Sequence, residues 1–401
     1  MYQLEEAISI LKKNIDPKKE MLELPIGKSL GHVLAKDEYA PISVPSFPKS
    51  AMDGYAVMSS DLTDAAMDHP AILKVIGELC AGEYKEFAFE PKEAVRVMTG
   101  AIVPAGFDTV VRQEDTDYGE EDVKIYTYVK QYQNYCHIGE DIQKGHLILK
   151  KGTKLQSLHI GLLASLGYAT VQVIQPLNVA IISTGTELIN PGTVLNKAQI
   201  YNSISYSLAA KIEASRLKVV SSEICSDNIS AITRSIKTAV KKADIVITTG
   251  GVSVGKSDYI PEFIQRTEAQ YLFKGIDVQP GAPTSASIFR NKIILHLSGN
   301  PYAALTLFEL LFWPVAARFM MNKSLEIGYK EAVLFSEYKK RNKCRRFVRA
   351  FEENNEVTIP SAIHVSSVIS NLVECNCFID MEAGKQYKAG DQVRIWRIKE
   401  I

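Results

Sequence analysis

Three apolar runs, each ending in a turn of small residues, constrain this chain more than any other feature. They are NVAIISTGTE (178–187), ADIVITTGGVSVG (243–255) and NKIILHLSGNP (291–301). A strand with one wet face alternates apolar and polar residues. A run that is apolar at nearly every position must be covered on both faces, as in a parallel sheet under helices. Between the runs lie helical spacings at 203–214 and 229–243 and a short strand pattern at 218–224. Strand, helix, strand, helix predicts an α/β unit with a mostly parallel sheet. Such sheets take their ligands beyond the C-terminal ends of the strands. Here those ends carry Ser183-Thr184-Gly185, Thr248-Thr249-Gly250-Gly251 and Ser298-Gly299-Asn300.

At 401 residues the chain is long enough for two to four domains. Leu4, Ala7, Ile8 and Leu11 fall on one face of an opening helix at 4–14. Further on, VRVMTG, DTVVRQ, DVKIYTYV and HLILKKGT are strand-length segments divided by Gly, Asp and Pro, as in small β-modules. Past Met321 short strand patterns return and end in YKAGDQVRIWRI, which predicts a separate β-domain. The 46 basic residues balance 46 acidic ones, so no net positive field gathers nucleic acid. The opening MYQLEEAISILKKN mixes charges into its apolar residues and does not read as a secretion signal. YAALTLFELLFWPVAARFMM (302–321) raises a membrane span, but Glu309, Pro314 and Arg318 favour a buried helix broken near Pro314. Six scattered cysteines without C-x-x-C fit free thiols in a reducing cytoplasm and no structural zinc.

Residues 250–257, Gly-Gly-Val-Ser-Val-Gly-Lys-Ser, fit G-x-x-x-x-G-K-[ST] letter for letter after a predicted strand. Three features argue against a nucleotide triphosphatase loop. No later strand ends in the aspartate that would hold magnesium, Pro261 falls where the next helix should run, and another strand ends in an equally glycine-rich turn. The milder expectation survives: main-chain amides in this turn bind an anion.

Six blocks together resemble one family, the molybdopterin molybdenumtransferases, known as MoeA in bacteria and as the E domain of gephyrin in animals. They are PSFPKSAMDGYAV (45–57), RVMTGAIVPAGFDTVVRQE (96–114), GEDIQKGHLILKKGTKL (139–155), IISTGTEL (181–188), TTGGVSVGKSDY (248–259) and LSGNPYAALTLFEL (297–310). They keep the family's order and spacing over essentially the whole chain. The resemblance implies a multidomain α/β plus β architecture. Residues 1–45 with 138–176 would form an elongated linking domain and 46–137 an inserted β-domain. Residues 177–322 would form a three-layer α/β molybdopterin-binding domain and 323–401 a C-terminal β-barrel. It also implies a cytoplasmic homodimer with the active site in a cleft between subunits, and neither nucleic acid nor membrane as partner. A molybdopterin adenylyltransferase and recipient molybdoenzymes are the protein partners it suggests.

The implied reaction takes adenylylated molybdopterin and molybdate, cleaves the pyrophosphate link with Mg²⁺, releases AMP and leaves the metal on the dithiolene. Mg²⁺ demands oxygen ligands and bridges phosphates. Carried over by motif, the catalytic candidates are Asp53, Asp141, Glu187 and Asp258, and the metal ligands Asp53, Glu187, Asp227 and Asp258. The ligand-binding candidates are Thr99, Ser183, Thr184, Gly185, Gly250, Gly251, Ser253, Gly299, Asn300, Pro301, Arg349 and Ser366. Plainer roles also suit them: a turn at Asp53, a helix N-cap at Asp227 or Asp258, satisfied backbone at Thr99 and Asn300.

The pattern departs from the family at one place above all. Its K-P-G-K-P is here Gln279-Pro280-Gly281-Ala282-Pro283, so two cations that help hold the molybdate dianion are absent. An ammonium is a strong charge-assisted donor to such an anion; Gln279 is a neutral donor and Ala282 none. The small polar residue after G-N-P-x is here Ala303, and the family's G-D-E is Gly185-Thr186-Glu187. Phe347-Val348-Arg349 keeps the family's F-x-R, which marks Arg349 as the oxyanion arginine, and Lys256 and Arg346 are candidates for the missing charge. Two functions fit. A transferase with a rearranged pocket, for molybdate or tungstate, is favoured by the retained acids. A carrier paralogue that binds the pterin without inserting metal is favoured by the lost lysines. The acid set tips the reading to the transferase.

Overall fold

The computed structural model describes residues 1–252, 259–360, 365 and 367–399. Helix α1 (Leu4–Lys13) buries Leu4, Ala7 and Leu11, the face its spacing predicts. Strand β1 (Met21–Pro25) follows. Strands β2 (Gly54–Val57), β3 (Ala71–Leu79), β4 (Glu93–Val97), β5 (Thr109–Arg112) and β6 (Asp122–Ile125) form one sheet in the order β5-β2-β4-β3-β6. Its faces carry separate cores, with Tyr55 and Val111 on one and Ala56 and Val110 on the other. Chain neighbours part in this way because strand side chains alternate. After α2 (Ser157–Ser165), β7 (Thr170–Ile174) returns to pair antiparallel with β1, Ile174 opposite Met21. The five-stranded unit is therefore inserted between two strands that pair with each other.

The next unit runs β8 (Asn178–Thr184), α3 (Ser203–Ala214), β9 (Lys218–Cys225), α4 (Ile229–Ala239), β10 (Ile245–Thr249) and α5 (Ile260–Arg266). It continues with β11 (Gln270–Lys274), β12 (Val278–Gln279), β13 (Ser285–Phe289), β14 (Lys292–Leu297) and α6 (Pro301–Phe319). The sheet order is β9-β8-β10-β14-β13-β11, parallel through β14 and antiparallel beyond it. The three apolar runs are its adjacent central strands β8, β10 and β14. Val179, Ile181 and Ile247 pack with α1, α3 and α6, while Ala180, Ile182 and Val246 pack with α4 and α5. Helices thus cover both faces, as the unbroken apolarity requires.

Helix α6 corrects one expectation: it continues through Pro314 instead of breaking there. The missing N–H costs about 3 kcal/mol. Phe308, Phe312 and Trp313 around that turn are fully buried, each worth about 1.5–3 kcal/mol, so packing outweighs the proline. The charge within it is also answered, since the Glu309 carboxylate lies 2.6 Å from Lys211 Nζ and accepts from Trp313 Nε1 at 2.6 Å. The helix is long and apolar enough to cross a membrane, yet 89% of its apolar window is buried inside the protein.

Strands β15 (Tyr329–Leu334), β16 (Arg345–Glu353), β17 (Glu356–Thr358), β18 (Cys377–Met381) and β19 (Gln392–Arg397) close into a five-stranded barrel, β16-β17-β15-β19-β18 and back to β16. Strand β12 leaves the α/β unit to pair with the start of β16, Val278 opposite Arg345 and Gln279 opposite Arg346. That pairing sets the barrel against the C-terminal end of the parallel sheet. All six cysteines are free thiols.

Candidate active site

A cavity of about 960 Å³ lies where β8, β10 and β14 end. One wall is made of strand-end turns: Thr184, Gly185 and Glu187; Gly250, Gly251 and Val252; and 298–301. Ser183 sits beneath it, fully buried, accepting from Thr249 Oγ1 at 3.2 Å and donating to Asn202 Oδ1 at 3.3 Å. It supports the turn without lining the cavity. Gly250 has φ +89°, and a Cβ there would come within 2.6 Å of the Thr184 carbonyl oxygen. Only glycine lets the two turns approach so closely.

Two carboxylates enter this wall. Glu187 folds back over Gly185, where a Cβ would meet its carboxylate oxygens at 2.7 and 2.8 Å. Asp227 arrives from the β9–α4 connection, and its Oδ2 accepts from the Thr186 amide at 3.1 Å. The helix cap belongs one residue later than the spacing suggested: Asn228 Oδ1 accepts from Ala231 N at 2.8 Å. Asp227 is thereby left lining the cavity with Glu187. The start of α6 also faces the cavity, with Asn300 at the cap position and Pro301 in the first turn. Its first amides have no partner within the helix and form its positive end.

The opposite wall is residues 279–283 together with Lys340, Arg346, Val365 and Ser367. The 279–283 turn is held by Ile276 N donating to the Ala282 carbonyl and Thr284 N to that of Gly281, both at 2.9 Å. Arg346 Nη1 donates to Gln279 Oε1 at 3.3 Å.

Arg349, the expected oxyanion arginine, does not line the cavity. It is fully buried on the side of β16 that faces the α/β unit, its guanidinium carbon 3.7 Å from the centre of the Tyr302 ring. It donates to the carbonyls of Val365 at 2.8 Å and Val368 at 2.6 Å and to Asn371 Oδ1. The Tyr302 hydroxyl donates to the Phe347 carbonyl at 2.7 Å and accepts from Arg349 N at 2.9 Å. Burial pushes that phenol up to about 12, so it stays protonated as a donor. Arg349 therefore ties Val365, Val368 and Asn371 to the first turn of α6.

Asp53, Thr99 and Asp141 do not line the cavity. Asp53 Oδ1 accepts from Thr99 N and Thr99 Oγ1, each at 2.7 Å, and these bonds hold its carboxyl below the usual range. Asp141 is exposed. Ser253, Lys256, Asp258 and Ser366 lie outside the described residues. Among the described residues no three His, Cys, Asp or Glu side chains cluster as a metal site, and the acids that line the cavity are Glu187 and Asp227. Lys340, Ile200 and Ser367 line the cavity without any motif in the sequence to mark them.

The chain matches three family models in succession: MoeA N-terminal region (domain I and II) over 2–167, probable molybdopterin binding domain over 180–318, and MoeA C-terminal region (domain IV) over 331–398. It is 36% identical over 381 residues to a molybdopterin molybdenumtransferase of Bacillus subtilis, covering 93% of this chain and 88% of that one. A molybdopterin molybdenumtransferase of Staphylococcus epidermidis is 33% identical over 397 residues, covering 98% and 94%. The solved structure of a molybdopterin biosynthesis moea protein from Pyrococcus horikosii superposes with a TM-score of 0.90 at 29% identity, covering 100% of both chains.

Proposed function

The chain belongs to the molybdopterin molybdenumtransferase family, and on that premise we propose that it inserts molybdate into adenylylated molybdopterin, with Mg²⁺ as cofactor and AMP as product. The observation that carries this reading is the meeting of Glu187 and Asp227 with the turn of Gly250 and Gly251 in one cavity. Mg²⁺ is usually held by one or two carboxylates plus substrate phosphates, and these two acids fit that need. Thr186 N holds Asp227 by one oxygen and so aims its carboxylate. Bound there, Mg²⁺ would draw charge from the phosphate oxygens as the anhydride breaks. The amides of the glycine turn and of the start of α6 hold phosphate by main-chain donors. Asn300 offers a side-chain amide to the pterin or the base. In the reaction one P–O bond of the pyrophosphate breaks, its electron pair leaves on the phosphate oxygen, and an oxygen from water or the oxyanion bonds to the other phosphorus.

The same reading makes the enzyme a cytoplasmic homodimer. Asp53, Thr99 and Asp141, absent from the cavity of their own chain, then act across the subunit boundary, and Ser253 and Asp258 complete the set in the glycine turn. The test is AMP release from adenylylated molybdopterin with Mg²⁺, in the presence of molybdate, of tungstate or of neither. Oxyanion-dependent release is expected, and Glu187→Gln should slow it about 100-fold while thermal unfolding stays near the parent's. Mixing inactive Asp53→Asn and Glu187→Gln proteins under subunit exchange should restore roughly a quarter of parental activity if sites are shared. Tight pterin binding with no AMP release under any condition would mean a carrier instead.

A further inference from the structure

Helix α4 and the turn after it, residues 229–243, hold four basic residues, Arg234, Lys237, Lys241 and Lys242, and no acidic one, in a chain whose 46 basic and 46 acidic residues balance. A helix face that only meets water mixes both signs at spacings of three and four, so that neighbours attract. Here Arg234, Lys237 and Lys241 follow one another at those spacings, all exposed, and repel. With Ser230, Thr233 and Arg266 from the end of α5 they line a groove of about 450 Å³ along α4. Arg266 is paired with Glu262; among the described residues no ion pair reaches Arg234, Lys237 or Lys241. Lys237 and Lys241 suit the negative end of the helix, but Arg234 stands at its middle and gains nothing there. The apolar side of α4 is closed, with Ile232 and Ile236 fully buried against α5 and the sheet.

We propose that this groove docks an acidic segment of a partner protein, an extended stretch rich in Asp and Glu. The cations stand in a row instead of converging on one point, which matches a linear run of carboxylates and not one compact anion. Ser230 to Thr238 spans about 12 Å of helix axis. That is the length of about four residues of extended chain, whose side chains return to the same side at every second position. Two other polyanions fit less well. Among the described residues no aromatic side chain lines the groove to stack a base. Nor does α4 expose an apolar face to enter a lipid surface, since that face is in the core. The groove starts at Ile229, two residues after Asp227. A partner docked there reaches the rim of the active cavity, which Asp227 lines.

The measurement is fluorescence anisotropy of labelled hexaglutamate titrated with the full-length protein. Saturable binding is expected at low salt, weakening as the screening length falls from about 30 Å to about 8 Å. Arg234→Gln, Lys237→Gln and Lys241→Gln should each weaken it about two- to fivefold, and the three together about tenfold or more. Lys28→Gln, exposed and outside the groove, should leave it unchanged. Circular dichroism checks that each variant folds, and the single variants keep the test open if the triple one does not. Added peptide should slow amide exchange over 229–241. No binding by the parent, or parental affinity in a folded triple variant, would overturn the proposal. So would tighter binding of oligothymidylate or of phosphatidylglycerol vesicles, lost in the triple variant, which would assign the row to nucleic acid or membrane. AMP release by the triple variant without peptide should match the parent's; a lower kcat/KM at unchanged kcat would assign the row to the substrate and overturn docking. Peptide binding is read without the reaction, so failure of the transferase reading leaves this inference standing.

Discussion

The two walls of the cavity are built by different rules. The strand-end wall comes from four short segments, each after a parallel strand, and beside the carboxylates of Glu187 and Asp227 it offers main chain: glycine amides and the first turn of α6. The barrel wall is collected from 279–283, 340, 346, 365 and 367, and what it offers is side chains. Main-chain donors persist through most substitutions, whereas a side-chain donor is lost with one. The glycine turns are intact; of the changed residues, Gln279 and Ala282 lie in the barrel wall, and Thr186 and Ala303 lie at the strand-end wall.

This contrast holds only if the barrel wall stands on a firm support, which is the role of Arg349. The largest expected effect is therefore on stability. Arg349→Met leaves the buried Asn371 Oδ1 and the part-buried Val365 and Val368 carbonyls without their arginine donor, at about 1–3 kcal/mol for a buried group and less where water reaches it. A loss of at least about 3 kcal/mol in denaturant unfolding is expected, with faster amide exchange over 367–371. Arg346→Ala, at the half-buried rim, should change stability by less than about 1 kcal/mol. Similar losses for the two variants would erase the distinction between support and ligand contact.

The strand-end wall was nearly all legible in the sequence, because local patterns make it. The apolar runs are β8, β10 and β14, the spacing at 203–214 is α3, and the Ser-Thr-Gly, Thr-Thr-Gly-Gly and Ser-Gly-Asn ends meet as parallel topology requires. What stayed hidden was decided by tertiary contacts. Strands β11 and β13 are five residues each and take their place by antiparallel pairing, β13 beside β14 and β11 beyond it at the edge. Pro314 lost to the burial around it. Asp227 and Asn228 are both good caps, and only the contact to Thr186 assigns them. F-x-R shows that an arginine is present at 349, but strand alternation and Tyr302 decide which way it points. Lys340 is an unremarked lysine until the barrel closes beside 279–283.

The next prediction tests the close approach inside the strand-end wall. Gly250→Ala adds a methyl within 2.6 Å of the Thr184 carbonyl oxygen and 2.7 Å of its hydroxyl, at φ +89°. About 2 kcal/mol should be lost. Gly251→Ala, at φ +67° with its nearest contact at 3.3 Å, should lose about 1 kcal/mol. Urea midpoints of the two variants measure the difference. Equal losses would show that backbone conformation alone, and not contact between the turns, selects glycine at 250.

The smallest effect concerns pH and comes from beneath the same wall. His296 on β14 is fully buried between Thr248 Oγ1 and Ser287 Oγ, each 2.9 Å from a ring nitrogen. Burial pulls it down to about 3, against about 6.5 when unfolded. Below pH 6.5 the unfolded chain takes up a proton that the folded chain refuses, so this group's contribution is complete above pH 6.5 and declines as pH falls toward 3. Between pH 7 and 5.5 the loss should be about 1 kcal/mol. It belongs to the sheet under the strand-end wall, so Trp313 fluorescence in a Trp396→Phe background should follow it during urea unfolding. His296→Asn should flatten the dependence. A slope that survives that substitution would assign the titration to another group and leave His296 as packing alone.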